Sequence, residues 1–158
     1  MSIEKVRAYF RPLGREPEFL EFPVSSATVE LAAEAVGVIP ARIAKTLSFL
    51  VEDGCVLIVT AGDARIDNKK YKAFFHTKAR MLTPGQVSAF TGHAIGGVCP
   101  FGNPDGVRTY LDVSMRRFDT VFPAAGSSNS AIELTCEELE RYSHSLAWVD
   151  LCKDWQEA

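Results

Sequence analysis

Ile43-Ala44-Lys45-Thr46-Leu47-Ser48-Phe49-Leu50-Val51, then Glu52-Asp53-Gly54, then Cys55-Val56-Leu57-Ile58-Val59-Thr60, is the stretch on which the fold turns. Side chains alternate between the faces of a strand, so Ile43, Lys45, Leu47, Phe49 and Val51 share one face and Ala44, Thr46 and Ser48 the other. Asp53-Gly54 is a strong hairpin signal, because a tight two-residue turn needs positive φ, and the second run returns as the partner strand. Two apolar strands joined in this way are expected at the centre of a sheet.

Toward the N-terminus, Ile3, Val6, Tyr9, Phe10 and Leu13 recur at helical spacing and end at Gly14. Phe19–Phe22 has strand composition, and Val29, Ala32, Ala33 and Val36 mark a helix that Gly37 stops. Toward the C-terminus, Asp67–His76 reads as a helix capped by Asp67, with Tyr71, Phe74 and Phe75 inward and Lys69, Lys70 and Lys72 outward. Thr83-Pro84-Gly85-Gln86 and Thr135-Cys136-Glu137-Glu138 are capping boxes that open two further helices, one ended by Gly92 and one running to Tyr142. Thr109–Asp112, Thr120–Phe122, Ala131–Leu134 and Leu146–Val149 read as short strands. Hairpins interspersed with helices predict one α/β domain of the α+β type over residues 1–158, a mixed sheet with helices on its flanks. Neither glycine-rich nucleotide motif is present in the sequence, which argues against a doubly wound fold.

The 158 residues are 47% apolar and 23% charged, the balance of a globular chain large enough to bury a core without disulfide or metal. Cys55, Cys99, Cys136 and Cys152 lie far apart, with no metal-ligand spacing, and are expected as free thiols. No secretory or membrane-spanning pattern is visible, so a cytoplasmic protein with no membrane partner is expected. A net charge of −3 argues against a protein that coats nucleic acid, and DNA is not an expected partner; a local basic patch stays compatible with it.

Lys45 is the most informative position, because a lysine on an apolar face needs a reason. Either its stem packs and its ammonium escapes to water, or the ammonium lines a cleft and holds a carbonyl or phosphate oxygen. Gly96-Gly97-Val98-Cys99-Pro100-Phe101-Gly102 is a shaped loop, either a plain connector or a presenter of backbone N–H groups. Cys99 lacks a locally placed histidine to activate it, and His76, His93 and His144 read as structural. Gly126-Ser127-Ser128-Asn129 is a hydrogen-bond-rich turn, and Asp112 has a weak claim to a cleft. Lys69, Lys70, Lys72, Lys78 and Arg80 interleave with aromatic residues, a pattern compatible with phosphate contacts as well as with an ordinary core face.

Taken in order, Val36-Gly37-Val38, Ile43-Ala44-Lys45-Thr46-Leu47, Ala61-Gly62-Asp63 with Asp67 and Lys69-Lys70, Gly96 to Gly102, and Gly126 leading to Ile132-Glu133-Leu134 resemble the YbaK/EbsC family, the prolyl-tRNA-synthetase-associated editing domain. The resemblance implies a strongly curved mixed sheet, no cofactor, and hydrolysis of mischarged aminoacyl-tRNA, with tRNA-Pro carrying cysteine or alanine as the expected substrate. By resemblance, Lys45 lies near the ester and terminal adenosine. Gly96, Gly97, Cys99, Pro100, Phe101 and Gly102, with Asp112, Gly126 and Asn129, are expected around the substrate, and Lys69, Lys70 and Lys72 on the tRNA. Prolyl-tRNA synthetase is an implied second partner. Family members often carry serine or threonine where Cys99 stands, and some carry histidine in the Gly126–Asn129 loop. A binding module of the same fold, or a hydrolase of small amino-acid esters, are the alternative readings.

Overall fold

The apolar runs on either side of Gly54 pair as an antiparallel hairpin, with Val51 opposite Gly54 and Ala44 opposite Ala61. A computed structural model describes residues 2–14, 20–23, 28–52, 54–93, 98–104, 106–126 and 129–155. The helices are α1 (Ser2–Phe10), α2 (Val29–Val36), α3 (Asn68–Phe75), α4 (Pro84–Thr91) and α5 (Cys136–Ser143). The strands are β1 (Leu20–Glu21), β2 (Ile43–Val51), β3 (Gly54–Ala61), β4 (Arg65–Ile66), β5 (Arg108–Asp112), β6 (Thr120–Pro123), β7 (Ser130–Ala131), β8 (Leu134–Thr135), β9 (Ala147–Val149) and β10 (Cys152–Lys153).

A six-stranded mixed sheet in the order β8-β6-β2-β3-β5-β9 places the hairpin at its centre. The β2–β6, β3–β5 and β5–β9 pairs are parallel, and β2–β3 and β6–β8 are antiparallel. The two faces of the hairpin bury different partners, as alternation requires. Ala44, Val59 and Ala61 join Val6 and Phe10 of α1 and Leu139 and Tyr142 of α5. Phe49, Val56 and Ile58 join Tyr71 of α3. Edge-to-face contacts of Phe10 with Phe101 at 4.9 Å and with Tyr142 at 5.4 Å knit the first core.

The local signals translate directly into helix ends. Asp67 accepts from the N–H groups of Lys69 and Lys70, and Thr83 and Thr135 each form a complete capping box. Gly14, Gly37 and Gly92 adopt the left-handed conformation at helix ends.

Two expectations change, and one pairing has no counterpart in the sequence reading. Ala131–Leu134 is not one strand: Ser130–Ala131 pairs with β1 while Leu134–Thr135 pairs with β6. The Ile132 N–H donates to Pro123 O, and proline has no N–H with which to continue a ladder. Phe74 is 44% exposed rather than buried, since α3 turns only Tyr71 fully into the core. Lastly, β4 pairs with β10, two-residue strands too short to show a period. Among the described residues, no helix is long and apolar enough to cross a membrane.

One close approach governs how β3 leaves the sheet. A Cβ added at Gly62 would stand 2.1 Å from the Pro40 carbonyl oxygen and 2.7 Å from Val29 Cγ1. Backbone cannot yield to that overlap as a flexible side chain would, so Gly62→Ala is expected to destabilise the protein by about 3 kcal/mol. The urea midpoint checks this; a loss below about 1 kcal/mol contradicts the close packing.

Candidate active site

Strand β2 loses its outer neighbour partway along. At its start it pairs with β6 through Ile43–Phe122 and Ala44–Pro123. Near its end the Leu50 N–H donates to Arg80 O, and Ser48 O accepts from the Leu82 N–H. Between these contacts, no described backbone pairs with residues 45–47 on that edge. A pocket of about 250 Å³ opens in the gap, walled by Val29 and Ala32 of α2 and its capping residue Thr28, by Val98, and by Phe122, Ala124, Ser130 and Ala131.

The outward N–H of Leu50 sets the parity of the ladder, so Thr46, four residues earlier, also turns its N–H and C=O away from β3 and toward the gap. Its Oγ1 is buried without a hydrogen-bond partner among the described residues. The gap therefore joins a mostly apolar wall to a few polar groups, the usual make-up of a small-ligand site.

Lys45 borders this pocket and is half-buried. Its ammonium donates to Ala64 O at 2.5 Å and to Gly62 O at 3.5 Å. An ammonium has three donors, and among the described residues no third acceptor meets it. Burial pushes its pKa below the ordinary lysine value, against the upward pull of Asp63 and Glu30, while Arg65 adds to the lowering.

A second set of bonds holds the turn that supplies those carbonyls. The Ala64 N–H donates to Ala61 O, and the Ala61 N–H donates to Ser114 Oγ. Asp112 spends both carboxylate oxygens on backbone: Oδ2 accepts from Ser114 N–H and Oδ1 from Leu151 N–H. Arg117 grips Asp63 with two bonds, at 2.6 and 3.0 Å, and donates through Nε to Ser114 O. Asp112 thus stands behind the turn, fully buried, and does not line the pocket.

The other expected site residues scatter. Gly96 and Gly97, with Ser127 and Ser128 of the small turn, lie outside the described residues. Cys99 and Phe101 are fully buried in the core. Pro100 and Gly102 line a separate cavity of about 270 Å³ beside Tyr9 and Tyr142. Gly126 is buried in the left-handed conformation at φ 98°. Asn129 donates through Nδ2 to Phe22 O, and its carbonyl accepts the Phe22 N–H, tying the approach to β7 onto β1. On α3, Lys69 and Lys72 are exposed, whereas Lys70 pairs with Asp150 and donates to Cys152 O.

A histidine does lie beside Cys99, contrary to the reading from local sequence: His93 Nε2 is 3.7 Å from its Sγ. Burial pushes the Cys99 thiol up to about 12 and the His93 imidazole down, so both stay neutral near pH 7. This pair is closed to solvent. Val98, inside the loop expected around the substrate, does line the pocket, whereas its walls at Thr28, Ala32 and Phe122, and the supports Ser114 and Arg117, escape sequence reasoning. Among the supports, only Ala61-Gly62-Asp63 carried a local signal, a glycine directly after a buried strand.

Two measurements check these electrostatics. Because burial depresses the proton affinity of Lys45, its NMR titration should fall below the ordinary lysine value of about 10.4. The unfolded chain then binds the proton more tightly, so this group makes the fold more stable as pH rises through the window between the two values, and less stable as pH falls back through it. Iodoacetamide at neutral pH should leave Cys99 unmodified in the native protein and label it after unfolding.

Comparisons with known proteins bear on the family and the fold. Residues 24–142 match the model of the aminoacyl-tRNA editing domain. YwhH, an uncharacterized protein of Bacillus subtilis (strain 168), is 58% identical over 157 residues, covering 99% of this chain and 100% of its own. EbsC of Enterococcus faecalis, named as a candidate Cys-tRNA(Pro)/Cys-tRNA(Cys) deacylase, is 32% identical over 114 residues, 71% of this chain and 70% of its own. A crystal structure described as a candidate trans-editing enzyme for prolyl tRNA synthetase superposes with a TM-score of 0.86 at 31% identity, covering 96% of this chain and 97% of that one. A central hairpin whose lysine borders a gap in a curled mixed sheet, together with these matches over most of the chain, places this protein in the aminoacyl-tRNA editing domain family, the YbaK/EbsC family.

Proposed function

We propose that this protein hydrolyses the ester linking a wrongly attached small amino acid to tRNA, with tRNA-Pro carrying cysteine or alanine as its substrate. The observation that carries the reading is the Lys45 ammonium at the rim of the β2–β6 gap, held by two carbonyls and with one donor remaining. The editing-domain match and the likeness to EbsC support the reaction class.

An aminoacyl ester is already activated, so positioning and charge stabilisation suffice. Water adds to the ester carbonyl, the carbonyl oxygen takes up negative charge, and collapse of that intermediate releases the amino acid and the ribose hydroxyl. In our reading Lys45 stabilises the developing oxyanion, and the Thr46 N–H that faces the gap is a second donor. A pocket near 250 Å³ has room for a small aminoacyl group, and discrimination against proline rests on the shape that Val29, Ala32 and Phe122 give the wall rather than on volume. Val98 walls the pocket, and Cys99 and Phe101 beside it are held in the core. Lys69 and Lys72 face the RNA. Prolyl-tRNA synthetase is the proposed protein partner, in line with the description of the superposed structure.

The test is a deacylation panel of tRNAs carrying alanine, cysteine, serine, threonine or proline. We expect turnover of at least one small amino acid, sparing proline, and a fall of about 10²- to 10³-fold in kcat/KM for Lys45→Ala and for the similarly sized Lys45→Met. If no charged tRNA is hydrolysed faster than in buffer, the protein is a binding module and the reading fails.

A further inference from the structure

At the hairpin end of the sheet lies a wide groove of about 880 Å³ that the proposed reaction does not use. Its wall joins Val51 of β2 and Arg108 and Tyr110 of β5 to the C-terminal end of α3 and the segment after it. Among the described residues, Lys78, Arg80 and Arg108 line it with one carboxylate, Glu52, and the ring of His76. This is a local excess of positive charge on a chain whose net charge is −3. Lys78 and Arg80 are exposed, and among the described residues neither meets a carboxylate. Phe74, 44% exposed, sets its ring edge-on to Phe75 and Tyr110 and gives the groove an apolar wall.

The groove has a definite relation to Lys45. Val51 is six residues along the same strand and on the same face, a distance of roughly 20 Å at the rise of a strand. Helix α3 lies against this face between them, and its exposed Lys69 and Lys72 continue the positive charge. Phosphates are the repeating charges of a nucleic-acid strand, so a separation of roughly 20 Å is covered by a few successive nucleotides. The strand end of the proposed substrate is long enough to fill both places.

We infer that the groove around Lys78, Arg80 and Arg108 binds the phosphate backbone of the RNA whose acylated end occupies the Lys45 pocket. The inference rests on the proposed substrate class. Phosphate contacts of this kind carry no sequence information; they add affinity and set orientation. Phe74 supplies a surface on which a ribose or base packs, and Arg108, half-buried on β5, gives the groove a rigid floor charge.

The test uses the double variant Lys78→Glu, Arg80→Glu; both side chains are exposed, and its unfolding midpoint is measured first against wild type. Binding of uncharged tRNA is followed by fluorescence anisotropy at 50 and 200 mM salt. Deacylation is followed on full-length aminoacyl-tRNA and on an aminoacylated dinucleotide too short to span both places. We expect the variant to bind tRNA at least about tenfold more weakly and to lose about two phosphate contacts of salt dependence, which is about 12-fold of the wild-type change across that range. KM should rise on full-length substrate with kcat unchanged, and the dinucleotide should be turned over as by wild type. Unchanged tRNA affinity overturns the inference and leaves the groove to an acidic protein surface; equal losses on both substrates overturn it as well. Because uncharged tRNA binding is read without chemistry, weakened binding in the absence of any deacylase activity upholds the groove and sinks the proposed reaction alone.

Discussion

The Lys45 ammonium is bound by two carbonyls of the turn that follows β3, and most of the surrounding structure arranges for those carbonyls to be there. A charged group half out of water needs oriented dipoles in place of the solvent it has lost. Gly62 and Ala64 provide them. Their placement depends on Gly62 passing against the Pro40 carbonyl at a distance that no side chain would permit. Behind the turn, Ser114 receives the Ala61 N–H, Asp112 receives Ser114, and Arg117 clasps Asp63. The lysine is therefore attached to the fold at its far end as well as at its Cα.

The pocket beside it is a consequence of incomplete pairing. Had β6 followed β2 along its whole length, Thr46 would have spent its outward N–H and C=O on the ladder. The parallel contact instead ends at Ala44–Pro123, and the chain after Ser48 finds residues 80–82 as its next neighbour. A central strand with a stretch of unpaired edge is costly in a buried sheet, and such places tend to be functional. Here the open stretch carries the lysine, the orphaned threonine hydroxyl and the apolar wall of α2. The proposed chemistry asks little more than this: a cation, backbone donors and a restricted volume.

The molecule also separates charge by location. Ion pairs tie down Arg42, Lys70 and Arg117, whereas Lys69, Lys72, Lys78 and Arg80 stay exposed along α3 and the segment after it. Among the described residues, an overall acidic chain thereby keeps a group of exposed cations on α3 and the segment after it.

Much of the architecture could be read from local rules. The alternation of Ile43–Val51, the capping residues Asp67, Thr83 and Thr135, and the glycines at 14, 37 and 92 each act within a few residues of chain, so their outcome is written in adjacent letters. The face on which Lys45 lies was legible for the same reason. What encloses it was not. Val29, Val98 and Phe122 come from segments dozens of residues apart and meet only because β6 diverges from β2, and neither Ser114 behind the turn nor His93 beside Cys99 follows a spacing rule. Strand parity depends on one backbone; the width of a gap between two strands depends on everything packed around them, and only the tertiary structure decides that.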